Sequence, residues 1–446
     1  DAAGNESPQS AALPLTVDTA APAAPAAPTS TAPSTNDNTP GIHIGVGLTD
    51  TPSLYVDGVK VPATYDPVTG TLTPTTPLGD GVHQFTTTLT DAAGNESPQS
   101  AALPLTVDTA APAAPTGVTV TDDVAPVTGA IAANGASNDN KPTFAGAAGS
   151  AEAGSTITVM DGATVLGTAV VAADGSWSVT PTTALADGAH SITTRATDAA
   201  GNVSPVSPAL ALTVDTAAPA APTGVTVTDD VAPVTGAIAA NGASNDNKPT
   251  FAGAAGSAEA GSTITVMDGA TVLGTAVVAA DGSWSVTPTT ALADGAHSIT
   301  TRATDAAGNV SPVSPALALT VDTVAPTTTA SVTAIRDDVG AIKGTVASGG
   351  VTDDTSLVVS GTLSTGLITG ERVRIYDGSS YLGDATVSGT SWTYADSRTL
   401  TDGQSVSYTA RVSDPAGNQS AAGTAYTATV DTVAPTTTAS VTAIRD

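Results

Sequence analysis

The chain has 446 residues and no cysteine, and its 41 acidic against 12 basic side chains give a net charge of −29. Neither a disulfide staple nor thiol chemistry is available to it, and such a charge argues against nucleic acid or an anionic membrane as partner and for solubility or bound cations. No apolar run reaches the ~18 residues that a membrane-spanning helix needs.

The first 25 residues, DAAGNESPQSAALPLTVDTAAPAAP, recur letter for letter at 91–115. The phrase TVDT places aspartates at 18, 108, 215, 322 and 431, with spacings of 90, 107, 107 and 109 residues. Residues 113–216 recur unchanged at 220–323, and 432–446 repeat 323–337. Such periods are read before anything else, because they set the architecture. They predict the tail of a repeat plus linker over 1–25 and domains over 26–112, 113–219, 220–326 and 327–435. The first strand of a following repeat is expected over 436–446. The chain is expected to be a window on a longer array.

In the second repeat the strand signals run GVTVTD (117–122), GAIAAN (129–134), PTFAGAA (142–148), STITVMD (155–161), TVLGTAVVA (164–172), SWSVTP (176–181), HSITTRATD (190–198) and ALALTVD (209–215). They alternate apolar and polar residues or are rich in Val, Ile and Thr. Asp-Gly pairs at 161–162, 174–175 and 187–188 mark the turns, since Gly tolerates the positive φ of tight hairpins. Seven or eight short strands in about a hundred residues predict an all-β fold of tandem immunoglobulin-like sandwiches. Short proline-stiffened linkers such as TAAPAAP (216–222) predict an end-to-end, extended rod. Leu210, Leu212, Val214, Ile157, Val159, Ile192 and Trp177 are the predicted core, with Trp284 and Trp392 as core plugs of later repeats. The first repeat has no tryptophan, and Phe85, Tyr55 and Tyr65 are expected to fill its core. It also replaces the TDD strand with a Pro/Ala/Ser/Thr linker.

The acids cluster around the repeat boundaries. The first boundary offers Asp91, Asp108, Asp122, Asp123 and Asp139; the second Asp198, Asp215, Asp229, Asp230 and Asp246; the third Asp305, Asp322, Asp337, Asp338, Asp353 and Asp354. Each set is expected to gather at one pole, from the TDAAGN and VDT phrases of one repeat and the TDD and NDN (or TDD) phrases of the next. Two carboxylates ~4 Å apart repel by about 4 kcal/mol at an effective dielectric of 20. Calcium, which takes six to eight oxygens, is the cation that fits such donors, whereas zinc would want His or Cys. The plain alternative for each acid is a solvated turn.

The series TDD, NDNKPTFAG, AEAGSTITVMDG, DGSWSVTP, DGAHSITTRATDAAGN and LTVDTAAP resembles the bacterial immunoglobulin-like repeats of giant type I-secreted adhesins and biofilm-associated proteins. The resemblance covers essentially the whole chain. It implies a calcium-rigidified stalk on the outside of a bacterial cell, extending an adhesive tip toward a host or biofilm-matrix surface through regions outside these residues. Neighbouring repeats of the same chain are then the other partners.

Enzymatic chemistry is not indicated. His83, His190 and His297 are one position repeated, following an Asp-Gly turn, and no nucleophile triad, phosphate loop or hydrolase motif stands out from the repeat text. The alternative to a spacer is a module whose loops bind a glycan or protein directly.

Overall fold

A computed structural model describes residues 1–437; the strand expected over 436–446 lies outside the described residues from 438 onward. The described elements are all β-strands, without a helix. The chain divides into two compact units, Asp1–Thr216 and Ala217–Asp446.

The first unit contains two sandwiches. In the second of these, one sheet orders Gly129–Ala130, Thr119–Asp122, Thr143–Gly146 and Trp177–Val179. The facing sheet orders Ala136–Ser137, Leu210–Val214, Gly188–Thr197, Thr156–Asp161 and Thr164–Val170. Every predicted strand is present, most of them shortened, the one predicted over 129–134 to Gly129–Ala130, while the one predicted over 190–198 starts earlier, at Gly188. One was missed: Ala136–Ser137 is only two residues long and pairs in parallel with Thr213–Val214, too short to carry a periodic signal.

Alternation decides what lies inside. Ile157 and Val159 are fully buried, and Ile192, Leu212, Val214 and Trp177 join them with Phe144 and Val120, while Leu210 packs at the margin. Burying a side chain the size of Phe144 is worth about 1.5–3 kcal/mol. The indole of Trp177 lies across Gly146, its strand neighbour, and a Cβ there would collide with the ring and with Ser150. The glycine in TFAG is therefore a packing requirement.

The first sandwich has a smaller core of six buried apolar residues, Phe85 among them, against thirteen in the second. Tyr65 packs against it. Tyr55, expected inside, instead faces outward, where its hydroxyl donates to Glu96 at 2.8 Å; Leu54 and Val56 on either side of it take the inward positions. As expected, nothing here corresponds to Thr119–Asp122: the sheet holds only Ile42–His43, Thr71–Pro74 and Ala63–Asp66.

The second unit repeats the pattern. Residues 226–321 form a sandwich with the same strands as residues 119–214. The last sandwich, from Ala330 to Val430, builds two five-stranded sheets around buried Trp392 and Tyr408.

Candidate functional site

The boundary acids occupy two kinds of structure. At the end of the first strand of residues 119–214, Asp122 accepts from Val124 N at 2.8 Å and from the Ser137 hydroxyl at 2.6 Å. Asp139 accepts from Lys141 N at 2.8 Å and from Asp123 N at 3.4 Å, and its own N–H donates to Ser137 Oγ. The N–H of Asp215 donates to the Ser137 carbonyl at 3.0 Å. Asp122 and Asp139 are buried, at 5% and 4% exposure, while Asp123 is exposed and Asp215 half-buried. The next repeat has the same network in Asp229, Asp230, Asp246 and Asp322 around Ser244. The last repeat has it in Asp337, Asp338 and Asp354 around Thr352. There Asp353 stands where the other repeats have Asn138 and Asn245, and a recess of about 480 Å³ is lined by Asp337, Thr352, Asp353, Asp431 and Val433.

Asp91, Asp198, Asp305 and Asp414 belong to the second structure, a closed Asp-x-Ala-Gly-Asn loop. Asp198 Oδ1 accepts from Ala200 N and Asn202 N at 2.9 Å, and Oδ2 accepts from Asn202 Nδ2 at 2.8 Å. Gly201 completes the turn at φ +95°, a conformation that suits glycine. Burial opposes the charge of Asp198, but the side-chain and backbone N–H groups of Asn202 outweigh it and hold the carboxyl below its ordinary range.

This loop turns its carbonyls toward the preceding sandwich. Ser34 Oγ donates to Ala199 O at 2.7 Å, Asn36 N to Ala200 O at 3.1 Å, and Asn202 Nδ2 to Asp108 O at 2.8 Å. The second unit makes the same joint: Asn245 N donates to Ala416 O at 3.0 Å and Asn418 Nδ2 to Asp322 O at 2.7 Å. Gly417, at φ +101°, lies against Val234.

The expected grouping of the acids is thus revised. Asp122, Asp123 and Asp139 sit with Asp215 of their own repeat, not with Asp91 and Asp108, and in the second unit Asp229, Asp230 and Asp246 likewise sit with Asp322 of their own repeat. The reason is strand direction. The strand ending at Thr197 is antiparallel to the one ending at Val214, so Asp198 and Asp215 leave the sandwich at opposite ends. Within each unit the joint combines the NDN and VDT phrases of one repeat with the Asp-x-Ala-Gly-Asn loop of the following one. Ser34, Asn36, Asp414 and Asn418 were not singled out from the sequence, although the recurrence of AGN at one fixed distance before VDT was a usable signal.

The donors suit a hard cation. Two buried aspartates meet at one hydroxyl, which donates to the Asp122 carboxylate and accepts from the Asp139 N–H, and among the described residues no lysine or arginine is ion-paired with them. The Oδ1 atoms of Asn138 and Asn245 are buried without a hydrogen-bond partner. These are oxygen ligands of the kind calcium takes. Among the described residues no three His, Cys, Asp or Glu side chains converge on one metal position, so a cation here would also draw on amide and backbone carbonyls and on water.

A model of the bacterial Ig-like domain family matches residues 27–109, 115–216 and 222–323. No curated protein matches the chain. Among solved structures, the fibronectin(III)-like modules of Clostridium thermocellum CbhA are similar at 18% identity and a TM-score of 0.30, over 46% of this chain and 94% of that one. A tetra-tandem repeat from the extending region of a large adhesion protein is similar at 20% identity and a TM-score of 0.22, over 91% and 98%. No helix among the described residues is long and apolar enough to cross a membrane. With three successive matches over well more than half its length, the chain belongs to the bacterial Ig-like domain family.

Proposed function

We propose that this chain is a spacer: a stalk segment of a bacterial surface adhesin, outside the cell, whose sandwiches stand end to end and carry no catalytic activity. The observation that carries this reading is the repeated joint. In both units the following domain's Asp-x-Ala-Gly-Asn loop is hydrogen-bonded to the pole of the domain before it. A joint made by the same atoms in both units gives the two domains of each unit the same seat on one another, which is what length and stiffness need. Duplication of residues 113–216 as 220–323 supports the same reading, because copying a unit extends a stalk, whereas a recognition site is needed once.

Calcium is the cofactor of this proposal. It would neutralise the buried pairs Asp122/Asp139, Asp229/Asp246 and Asp337/Asp354 and draw on the orphaned Asn carbonyls where they occur. A cation that binds only the native joint stabilises it by about 2.7 kcal/mol at a hundred times its Kd.

Small-angle scattering of the full chain, with calcium and after chelation, tests the proposal. An elongated particle that becomes more flexible on chelation is expected; a compact particle in both states overturns the spacer. An extended particle that takes up no calcium in calorimetric titration overturns the cofactor alone. Tight binding of a glycan or protein by the chain would favour the direct recognition module.

A further inference from the structure

Three of the four sandwiches carry the same side-chain bridge away from the joint acids. In the second, His190 Nδ1 lies 2.7 Å from Asp161 Oδ2, and Nε2 lies 2.7 Å from the Ala186 carbonyl oxygen. His83 repeats this with Asp57 and Gly79 at 2.7 and 2.8 Å, and His297 with Asp268 and Ala293 at the same distances. Both partners of each ring are acceptors. A neutral imidazole has a single N–H and can satisfy only one of them; the imidazolium ion satisfies both.

The residue after the bridged carbonyl holds the exit from the domain. Asp187 Oδ1 accepts from the N–H and hydroxyl of Thr216, at 3.0 and 2.9 Å. Asp80 holds Thr109 and Asp294 holds Thr323 in the same way. The imidazole thus ties the hairpin turn after Thr156–Asp161 to the loop that grips the linker. We propose that His83, His190 and His297 act as cationic clamps on these loops, so that the grip on each exit linker relaxes when the ring loses its proton.

The last sandwich provides the control. Its corresponding acid, Asp377, accepts from Ser407 N as Asp161 does from Ser191 N, but its other oxygen is held by Arg398 at 2.9 Å. Asp402 still grips Thr432, and the loop is tied by Gln404 at Thr401. Arginine keeps its charge at any pH the protein meets.

The direction of the effect follows from the surroundings. Burial disfavours the charge on His190, but the hydrogen bonds to Asp161 and Ala186 and the Asp161 charge outweigh it, leaving the ring above its ordinary 6.5. His297 is raised in the same way beside Asp268, and His83 is raised first by the Gly79 carbonyl and then by Asp57. Among the described residues the aspartate of each bridge is the charged group hydrogen-bonded to its ring, and Asp80, Asp187 and Asp294 follow the bridged carbonyls in the chain; the neighbouring strand opposes the rings with Leu105, Leu212 and Leu319, and His83 meets the edge of Phe85. A group whose folded value is raised contributes stability fully present below 6.5 and lost as pH rises through the folded value.

The clamp deepens the spacer reading, and it is tested by hydrogen exchange of the full chain from about pH 6 to about pH 9, across the range in which histidine titrates, corrected for intrinsic exchange. Protection of the Thr109, Thr216 and Thr323 amides should fall severalfold while that of Thr432 holds. An equal response at all four, or none, overturns the clamp. In His190→Gln the response should vanish at Thr216 and persist at Thr109. Should that variant unfold, nitrogen NMR of the unaltered chain decides: two ring N–H groups on each clamp histidine at about pH 6 are expected, and neutral rings overturn the proposal. A pH-indifferent linker in a chain that still scatters as an extended particle defeats the clamp and leaves the spacer standing.

Discussion

Residues 1–25 and 91–115 have the same letters and two different structures. In the later copy Leu103–Val107 is a strand, with Leu105 and Val107 buried. In the first, no strand forms over residues 1–25, and Leu13, Leu15 and Val17 are 90%, 84% and 79% exposed. The loop, by contrast, is the same in both. Asp1 accepts from Ala3 N, Asn5 N and Asn5 Nδ2 as Asp91 accepts from Ala93 N, Asn95 N and Asn95 Nδ2, and Gly4 and Gly94 both have positive φ. Every partner in the loop lies within four residues, whereas the strand needs Gly81–Phe85 alongside it. Local hydrogen bonding is carried by the letters; pairing has to be supplied by the fold.

The sharpest way to break this comparison is one substitution made in both copies. Leu105→Ala should cost about 2–5 kcal/mol of the first domain's stability, as buried leucines do, while Leu15→Ala should leave unfolding unchanged in the same denaturation experiment. Equal effects would mean that the first copy is also packed. A smaller loss is expected from the loop. Asn95→Ala removes the closing bonds to Asp91 and the contact of Asn95 Nδ2 with Asp18 O at 3.1 Å, at a cost of about 1 kcal/mol. Asn5→Ala should be silent in melting, and Asn418→Ala should loosen the joint to Asp322, read as added flexibility by scattering.

The smallest effect concerns acid. The side chain and then the backbone N–H of Asn95 hold the Asp91 carboxyl below its ordinary 3.8. A lowered folded value gives stability that is present above the unfolded value and lost as pH falls through the folded one. Titration of the Asp91 carboxyl by NMR should therefore lie below that of an unstructured aspartate, and Asn95→Ala should bring it back up. An unmoved titration in the variant would mean that the loop bonds do not set it.

Much of the architecture was legible in the letters. The duplicated text fixed the number and length of the repeats, the two-residue alternation placed Ile157, Val159, Leu212 and Val214 inside, and the Asp-x-Ala-Gly-Asn phrase encoded its own loop. These are properties of neighbours along the chain. The joint was not legible in the same way. Asp122, Asp139 and Asp215 come together around Ser137 because strand direction sends three separate segments to one end of the sandwich and sends Asp198 to the other, and the donor that seals the joint, Asn202 Nδ2, finds its acceptor 94 residues away at Asp108. The histidine bridges have the same character. His190, Asp161 and Ala186 are unremarkable residues apart, and only the tertiary fold puts acceptors on both ring nitrogens, because strand pairing, unlike a turn, brings together atoms that the sequence keeps distant.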